Sequence, residues 1–555
     1  MIVTLLSWGV IFVFSVILGN FFARKIMPET FQNTTKLDVY FVAGLMILNV
    51  YAQVFSIFGK IGMMAFCFIA VIVLILFIWC MSELKKDGFS LKISGIATWK
   101  ICVSIVLGGA ILLLTIKSPE FVDTYLYHAQ AIRWIEEYGV VPGLGNLHCR
   151  FAYNSAFLPL QALFSFSWLT ESMHSLNGFL GCFFVIYAVV TNHIFSSEKN
   201  TVSDYLKLMI IPYIFLNKRT LSSPGTDVLA MLLVLYIAIK WSECIEKQEK
   251  SIQSYGFLCI LAVWALSVKL STAASLVLVI FPAIILIKNR QWKLIVKDLI
   301  CGIAVAIPWL LRNVIISGYL IYPYSALDLF SVDWKMSKDI LELDKMEITV
   351  YGREVRDVTL YSDPITVWFS TWFENQMLKY KLLVIAGFAA TVFLLCVLII
   401  ALLKYLRKKV NINSFFEGKT LLLLGAMLLS EVFWLFSAPL VRYGMVFLMM
   451  PIAVSYYLIE QKLGNKWNQF VLIVGTFATT FFVMYKSEDF RLLWPQGYWK
   501  MESVATDFDG VTIYTAADGG KISGYDVFPA APKKEDLEKI ELRGNNLSDG
   551  FRVKE

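Results

Sequence analysis

This sequence is short of charge. Asp, Glu, Lys and Arg together make up 16% of its 555 residues, whereas soluble domains carry roughly 25%. Histidine occurs only four times. No glycine-rich nucleotide loop, internal repeat or low-complexity tract is visible. Nine cysteines are present, but only Cys149 falls in a long polar loop and Cys244 in a basic one. The rest lie in or beside apolar runs, which excludes a disulfide framework and a CxxC metal site.

What the chain has is hydrocarbon. Hydrophobic residues reach 58%, in recurring runs of about 18–22 residues, the length a helix needs to cross about 30 Å of lipid. The expectation is an all-α polytopic membrane protein whose first partner is the lipid bilayer. The spacing predicts spans near 2–22, 38–59, 61–82, 98–116, 172–194, 204–217, 225–240, 254–268, 272–287, 295–316, 380–403, 418–437, 440–459 and 466–485. Segment 2–22 lacks a basic leader and a small-residue cleavage site, so it reads as a retained span. Segment 155–169 is apolar but bounded by polar residues, and reads as a re-entrant or interfacial helix.

The net charge of +7 points to no nucleic-acid partner, because the cations cluster in short loops as orientation signals do. Arg24/Lys25/Lys36, Lys85/Lys86/Lys92, Lys240/Lys247/Lys250, Lys288/Arg290/Lys293/Lys297 and Lys404/Arg407/Lys408/Lys409 all fall on one side under these spans. That side is expected to be cytoplasmic, with both termini outside. The outer side then receives loop 117–155, loop 317–379 and the tail from 486. The tail gains Gly, Asp and Lys, with a strand-like 511–515 and a helical turn near 533–540. About seventy residues of this kind suit a small extracytoplasmic α+β cap.

Loop 117–155 gathers Glu120, Asp123, His128, Arg133, Glu136, Glu137, His148 and Arg150 beside a span end. A polar, aromatic loop of this kind is a working surface more often than a connector. Asp123 can take a proton from an attacking hydroxyl or hold a cation. It can equally cap the helical stretch TYLYHAQAIRWIEEY. His128 is a proton partner or a satisfied interfacial histidine. Cations near outer span ends, Lys218, Arg219, Lys269, Arg312 and Arg442, suit an anionic phosphate or snorkel toward headgroups. Glu431 is placed to pair with one of them. In loop 317–379, Asp333 and Trp334 suit sugar contact, while Trp334, Trp368 and Trp372 equally suit an interfacial belt.

The stretches EFVDTYLYHAQAIRWIEEYGVVP, SSPGTDVLAMLLVLY, LSVKLSTAA, PWLLRNVIISGYLIYP and FSAPLVRYG, in this order over residues 98–555, resemble the GT-C class of integral-membrane glycosyltransferases. That class includes the protein O-mannosyltransferase and aminoarabinose-transferase branches, and the resemblance is to uncharacterised bacterial members of this superfamily. Carrying features are Asp123 with Tyr127–His128, the RN-x-x-x-x-G-x-x-x-YP pattern from Arg312, and P-x-x-RY from Pro439. Two departures stand out: three spans precede the usual first core helix, and one acid occupies the place of an acidic pair. The second argues against a bound divalent cation, so no cofactor is expected.

The resemblance implies a GT-C-like bundle divided into additional N-terminal helices (1–97), a core (98–316) with the catalytic loop 117–155, a second outer loop (317–379), C-terminal helices (380–485) and the tail (486–555). It implies inverting transfer of a sugar from a polyprenyl-phosphate donor to a glycan, lipid or protein acceptor. The setting would be cell-envelope glycan synthesis at the outer face of a bacterial inner membrane. Asp123 and His128 would be catalytic. Lys269, Arg312, Arg442 and Arg219 would hold the donor phosphate, and Glu120, Tyr127, Asp333 and Trp334 would meet acceptor or sugar. Alternatives are a polysaccharide polymerase or ligase, with an arginine-dominated site, and a lipid-linked glycan flippase or transporter, with polar residues near mid-membrane.

Overall fold

The computed structural model describes residues 1–31, 37–86, 96–169, 172–194, 200–406, 418–463, 493–531 and 534–554. The expected span at 466–485 lies outside them. The first four helices are α1 (Ile2–Phe21), α2 (Leu37–Phe58), α3 (Met63–Lys86) and α4 (Thr98–Thr115). The first polar segment carries α5 (Ala129–Glu137), α6 (Leu144–Leu147) and α7 (Phe157–Leu163). The core follows as α8 (Leu176–Val190), α9 (Val202–Leu216), α10 (Asp227–Glu246), α11 (Ile252–Val268), α12 (Ile280–Lys288) and α13 (Trp292–Ser317). Segment 317–379 holds α14 (Lys338–Gly352) and α15 (Ile365–Asn375). Then come α16 (Leu378–Leu406), α17 (Gly418–Ser437) and α18 (Val441–Leu463).

Among the described residues, ten helices are long and apolar enough to cross a membrane, so the chain is a multi-pass, all-α membrane protein. The expected span 172–194 is shorter than read: α8 has 15 residues, as does α9, roughly 22 Å each at 1.5 Å per residue. Helix α10 sits at the centre, 94% buried over its apolar window, while α3 and α16 are 22% buried and present their apolar faces outward. The run entering α12, Leu270–Val279, is a ten-residue 3-10 helix. Its buried residues, Thr272, Ser275 and Leu278, recur every third position, the period of that helix.

Successive spans alternate between two ends. At one end short connections meet: Phe31 N–H donates to Ser254 Oγ at 2.8 Å and Trp241 Nε1 to the Lys419 carbonyl at 3.0 Å. Lys240, expected in a basic loop, instead lies buried in α10. Its ammonium meets Glu243 at 2.8 Å and Asp38 at 3.1 Å, and Glu243 also pairs with Lys207 at 2.8 Å. Charges buried here persist because each is matched, and breaking one pair strands the other. Helix α2 is wedged into the core: Asn49 donates to the Ala156 carbonyl at 2.6 Å and accepts from Trp264 Nε1 at 3.1 Å.

The other end carries the polar segments. The amino group of Met1 lies 3.0 Å from the Leu493 carbonyl, and Gln496 N–H bonds to the Ile116 carbonyl at 2.7 Å. The N-terminus, the 117–155 segment and the tail therefore share one face. The tail pairs β1 (Ser503–Phe508) with β2 (Val511–Ala516) and β3 (Ile540–Leu542) with β4 (Phe551–Val553), both antiparallel. Asp509 and Gly510 both have positive φ, as a two-residue hairpin turn requires. The helical turn expected near 533–540 is the single turn Lys534–Leu537.

Candidate functional site

A cavity of about 550 Å³ opens at the polar end, walled by the start of the 117–155 segment, residues 153–155, 225–227 and 266–271, α13, α14, and the α17–α18 junction. Asp123 stands where a helix cap would, ahead of the π-helical turn Thr124–His128, yet its carboxylate makes no capping bond. It instead accepts from Arg442 Nη2 at 2.6 Å. The Arg442 guanidinium lies 4.3 Å from the Phe121 ring centre and 4.8 Å from that of Tyr443. Its Nε is 3.8 Å from Asp227 Oδ2, too long for a hydrogen bond, and has no bonding partner among the described residues.

Asp227 opens α10 and is held on its other oxygen by Lys269. Lys269 terminates α11 in an extended conformation, with its ammonium 3.5 Å from the Tyr443 ring centre. Asp123, Arg442, Asp227 and Lys269 thus alternate in sign along one wall, formally neutral and only 12–20% exposed. Burial pushes Lys269 below the ordinary lysine pKa although Asp227 acts in the opposite direction.

His128 lies beside this chain, 4% exposed, with no hydrogen-bond partner for Nδ1 among the described residues. Burial lowers its pKa to about 4, against the upward pull of Asp123 and Asp227. The imidazole is neutral near pH 7. Tyr127 packs against it at 4.1 Å between ring centres, and burial, with Asp123 nearby, raises its phenol well above the usual range. Helix α14 contributes Lys345, Ile348, Thr349 and Tyr351 to the cavity lining, and its Asp344 holds two lining phenols, accepting from Tyr322 at 2.9 Å and from Tyr153.

Other sequence candidates lie elsewhere. Arg312 is fully buried behind the wall, donating Nε to Asn154 Oδ1 at 3.0 Å and a second nitrogen to Ser56 Oγ. Arg219 and Glu120 form an exposed 3.8 Å pair outside the cavity. Asp333 binds Arg543 of the tail at 2.8 and 3.1 Å, and Trp334 stacks under the same guanidinium. Trp368 and Trp372 are buried, four residues apart on one face of α15, with Trp372 Nε1 bonded to the Pro439 carbonyl at 3.0 Å. An amphipathic helix buries that stripe, which removes them from an interfacial belt. Glu431 accepts from Thr391 at 2.6 Å, and no cation pairs with it among the described residues.

Sequence reasoning passed over Asp227. Its signal was present in SSPGTDVLAMLLVLY: a carboxylate opening a long apolar span is costly unless paired. Asp344, Tyr153 and Tyr322 gave no such signal. Among the described residues, no three His, Cys, Asp or Glu side chains converge as a metal-ligand set. The cavity lining carries Lys269, Arg150, Lys345 and Arg353, the carboxylates of Asp123, Asp227 and Asp363, a neutral imidazole and phenols, with Arg442 paired to Asp123 at its edge. This set can receive an anion with hydroxyl groups, with Asp123 at hand to accept a proton.

Residues 1–449 match the family described as Domain of unknown function (DUF8201), and the chain belongs to that family. Neither the curated proteins nor the solved structures contain a match.

Proposed function

We propose that this protein transfers a sugar from a polyprenyl-phosphate donor to an acceptor hydroxyl, in the manner of the GT-C class, at the outward face of a bacterial inner membrane. The observation that carries the reading is the alternating chain Asp123–Arg442–Asp227–Lys269 at the mouth of the helical bundle. At rest the two cations are neutralised by the two acids. An incoming phosphate offers them a better partner, with Arg442 suited to bidentate contact and Lys269 to a point charge. Asp123 is then left as a carboxylate without its cation.

Chemistry follows from that exchange. The acceptor hydroxyl gives its proton to Asp123 as its oxygen bonds to the anomeric carbon. The bond from that carbon to the phosphate oxygen breaks, and its electron pair leaves with the polyprenyl phosphate. Arg442 and Lys269 meet the charge that develops there, the contribution that usually dominates such steps. Attack from the face opposite the leaving group inverts the anomeric centre. Tyr127 and neutral His128 line the acceptor side as hydrogen-bonding groups.

Transport is disfavoured by α10. It holds Asp227 at one end and Lys240 and Glu243 toward the other, while residues 228–239 between them are buried and, apart from Tyr236, without a polar side chain. That stretch is about 18 Å of helix at 1.5 Å per residue, an apolar barrier where a translocation path needs polar stepping points. The test is release of polyprenyl phosphate by purified protein given a panel of short-chain polyprenyl-phosphate sugars, with bacterial envelope fractions as acceptor. Release that depends on Asp123 supports the reading. No release from any donor, with the protein folded, defeats it.

A further inference from the structure

A second cavity, about 1140 Å³, opens at the same polar end, further along the 117–155 segment past His128. It exceeds the ~300–1,000 Å³ of ordinary small-molecule pockets. Its lower wall is apolar: Tyr51, Phe55 and Phe58 on the last two turns of α2, and Met64 and Phe68 on the first turns of α3. Phe58 is 86% and Met64 77% exposed. From residue 58 to residue 51 this wall descends about 10 Å into the bundle, at 1.5 Å per residue.

The upper wall is charged. Lys60 stands on the turn between α2 and α3, Arg133, Glu136 and Glu137 on α5, and Asp526 on the tail. These parts are fixed to one another. Ile61 N–H donates to the Ile135 carbonyl at 3.0 Å and Val140 N–H to the Ser56 carbonyl at 2.8 Å. Gly139, at φ +82, has no room for a Cβ against the Ser56 and Gly59 carbonyls. Arg133 donates to the Tyr525 carbonyl, and Glu136 accepts from the Tyr525 hydroxyl at 2.8 Å. Lys60, Glu137 and Asp526 are left exposed at the rim, Asp526 also accepting from Met501 N–H at 3.1 Å.

A change from apolar to charged over about 10 Å at a span end follows the passage from acyl chain to headgroup. Three carboxylates against two cations disfavour a purely anionic headgroup. They suit one that carries an ammonium as well as a phosphate. A primary ammonium donates up to three hydrogen bonds to carboxylates, whereas a quaternary one donates none. We propose that this groove holds a phospholipid with a primary-amine zwitterionic headgroup, of the phosphatidylethanolamine type. The acyl chains lie on Phe58, Met64 and Phe68, the phosphate faces Lys60 and Arg133, and the ammonium faces Glu137 and Asp526. The inference rests on the membrane fold alone and is independent of sugar transfer.

The experiment uses the full chain in detergent with added palmitoyl-oleoyl phosphatidylethanolamine, phosphatidylcholine or phosphatidylglycerol, reading retained lipid by native mass spectrometry. The expected result is preferential retention of phosphatidylethanolamine. It should fall about tenfold in Lys60→Gln/Glu137→Gln, as loss of a charge-assisted hydrogen bond implies. Both residues are exposed, so the variant keeps its fold, which its thermal midpoint checks. Equal retention of the three lipids overturns the proposal, as does a preference for phosphatidylglycerol. Selective retention that the double variant leaves unchanged overturns it too, by placing the lipid elsewhere.

Discussion

Arg442 holds Asp123 at 2.6 Å across 319 residues of sequence. The contact joins the first polar segment to the start of the last described span, and it keeps a carboxylate beside a cation until something anionic competes. That geometry distinguishes the two acids of this chain of charges. Asp123 faces one cation, while Asp227 lies between two.

The first prediction tests that separation. Asp123→Asn removes the proton acceptor and should lower kcat by ~10²–10⁴, the usual cost of losing a general base, with donor KM nearly unchanged. Asp227→Asn removes the partner that fixes Lys269, so it should act mainly on donor KM. The measurement is steady-state release of polyprenyl phosphate for both variants. Equal losses of kcat in the two, with unchanged KM, would mean that Asp227 and not Asp123 alone carries the proton.

A second prediction concerns the cations. Lys269→Met leaves Asp227 buried with Arg442 only at 3.8 Å, and stranding a buried charge typically costs about 3–5 kcal/mol. Adding Asp227→Asn should recover most of the thermal midpoint but not the donor affinity. Arg442→Lys keeps the charge and loses the planar fork, so donor KM should rise about tenfold while the protein stays folded. If Arg442→Lys behaves as wild type, the contact with the phosphate is not bidentate.

The spans were legible in the sequence because length and hydropathy alone specify a helix in lipid. Where reading fell short, the missing information was tertiary. Lys240 looked like a loop cation because nothing local shows that Asp38, some two hundred residues earlier, reaches it. Asp333 and Trp334 had the chemistry of a sugar contact, but an acid beside an aromatic is equally a seat for an arginine, and Arg543 occupies it. Asp123, Lys269 and Arg442 stood out singly as charges at span ends. That they share a wall, with Asp227 as the link, depends on how α10, α11 and α18 pack.

Orientation gives a third prediction. Position 518 lies in the exposed turn of the tail that follows β2, and position 250 in the exposed turn before α11. In a chain lacking its native cysteines, Asp518→Cys should react with an impermeant maleimide on intact cells, and Lys250→Cys only after permeabilisation. The reverse pattern would put the cavity on the cytoplasmic side and end the case for an outward-facing transfer.

The last prediction follows from His128. Its pKa is about 4 in the folded protein, against 6.5 for an ordinary histidine. A depressed value means that protonation favours the unfolded chain. The stability contributed by neutral His128 is therefore complete above pH 6.5, declines as pH falls toward 4, and is lost below that. Linkage sets the loss at about 2 kcal/mol by pH 5 and on the order of 3 kcal/mol in full. His148, lowered to about 3 by burial, declines in the same sense over a window that reaches down to pH 3. The measurement is the thermal midpoint in detergent at pH 7.5 and pH 5. Wild type should lose more on acidification than His128→Gln, whose side chain fills similar space without titrating, and His128→Gln/His148→Gln should lose least. An equal acid shift in wild type and His128→Gln would mean that His128 takes up its proton without cost. It would then be a cation in the cavity at mildly acidic pH, adding to Arg442 and Lys269 as a phosphate ligand and leaving Tyr127 alone to meet the acceptor.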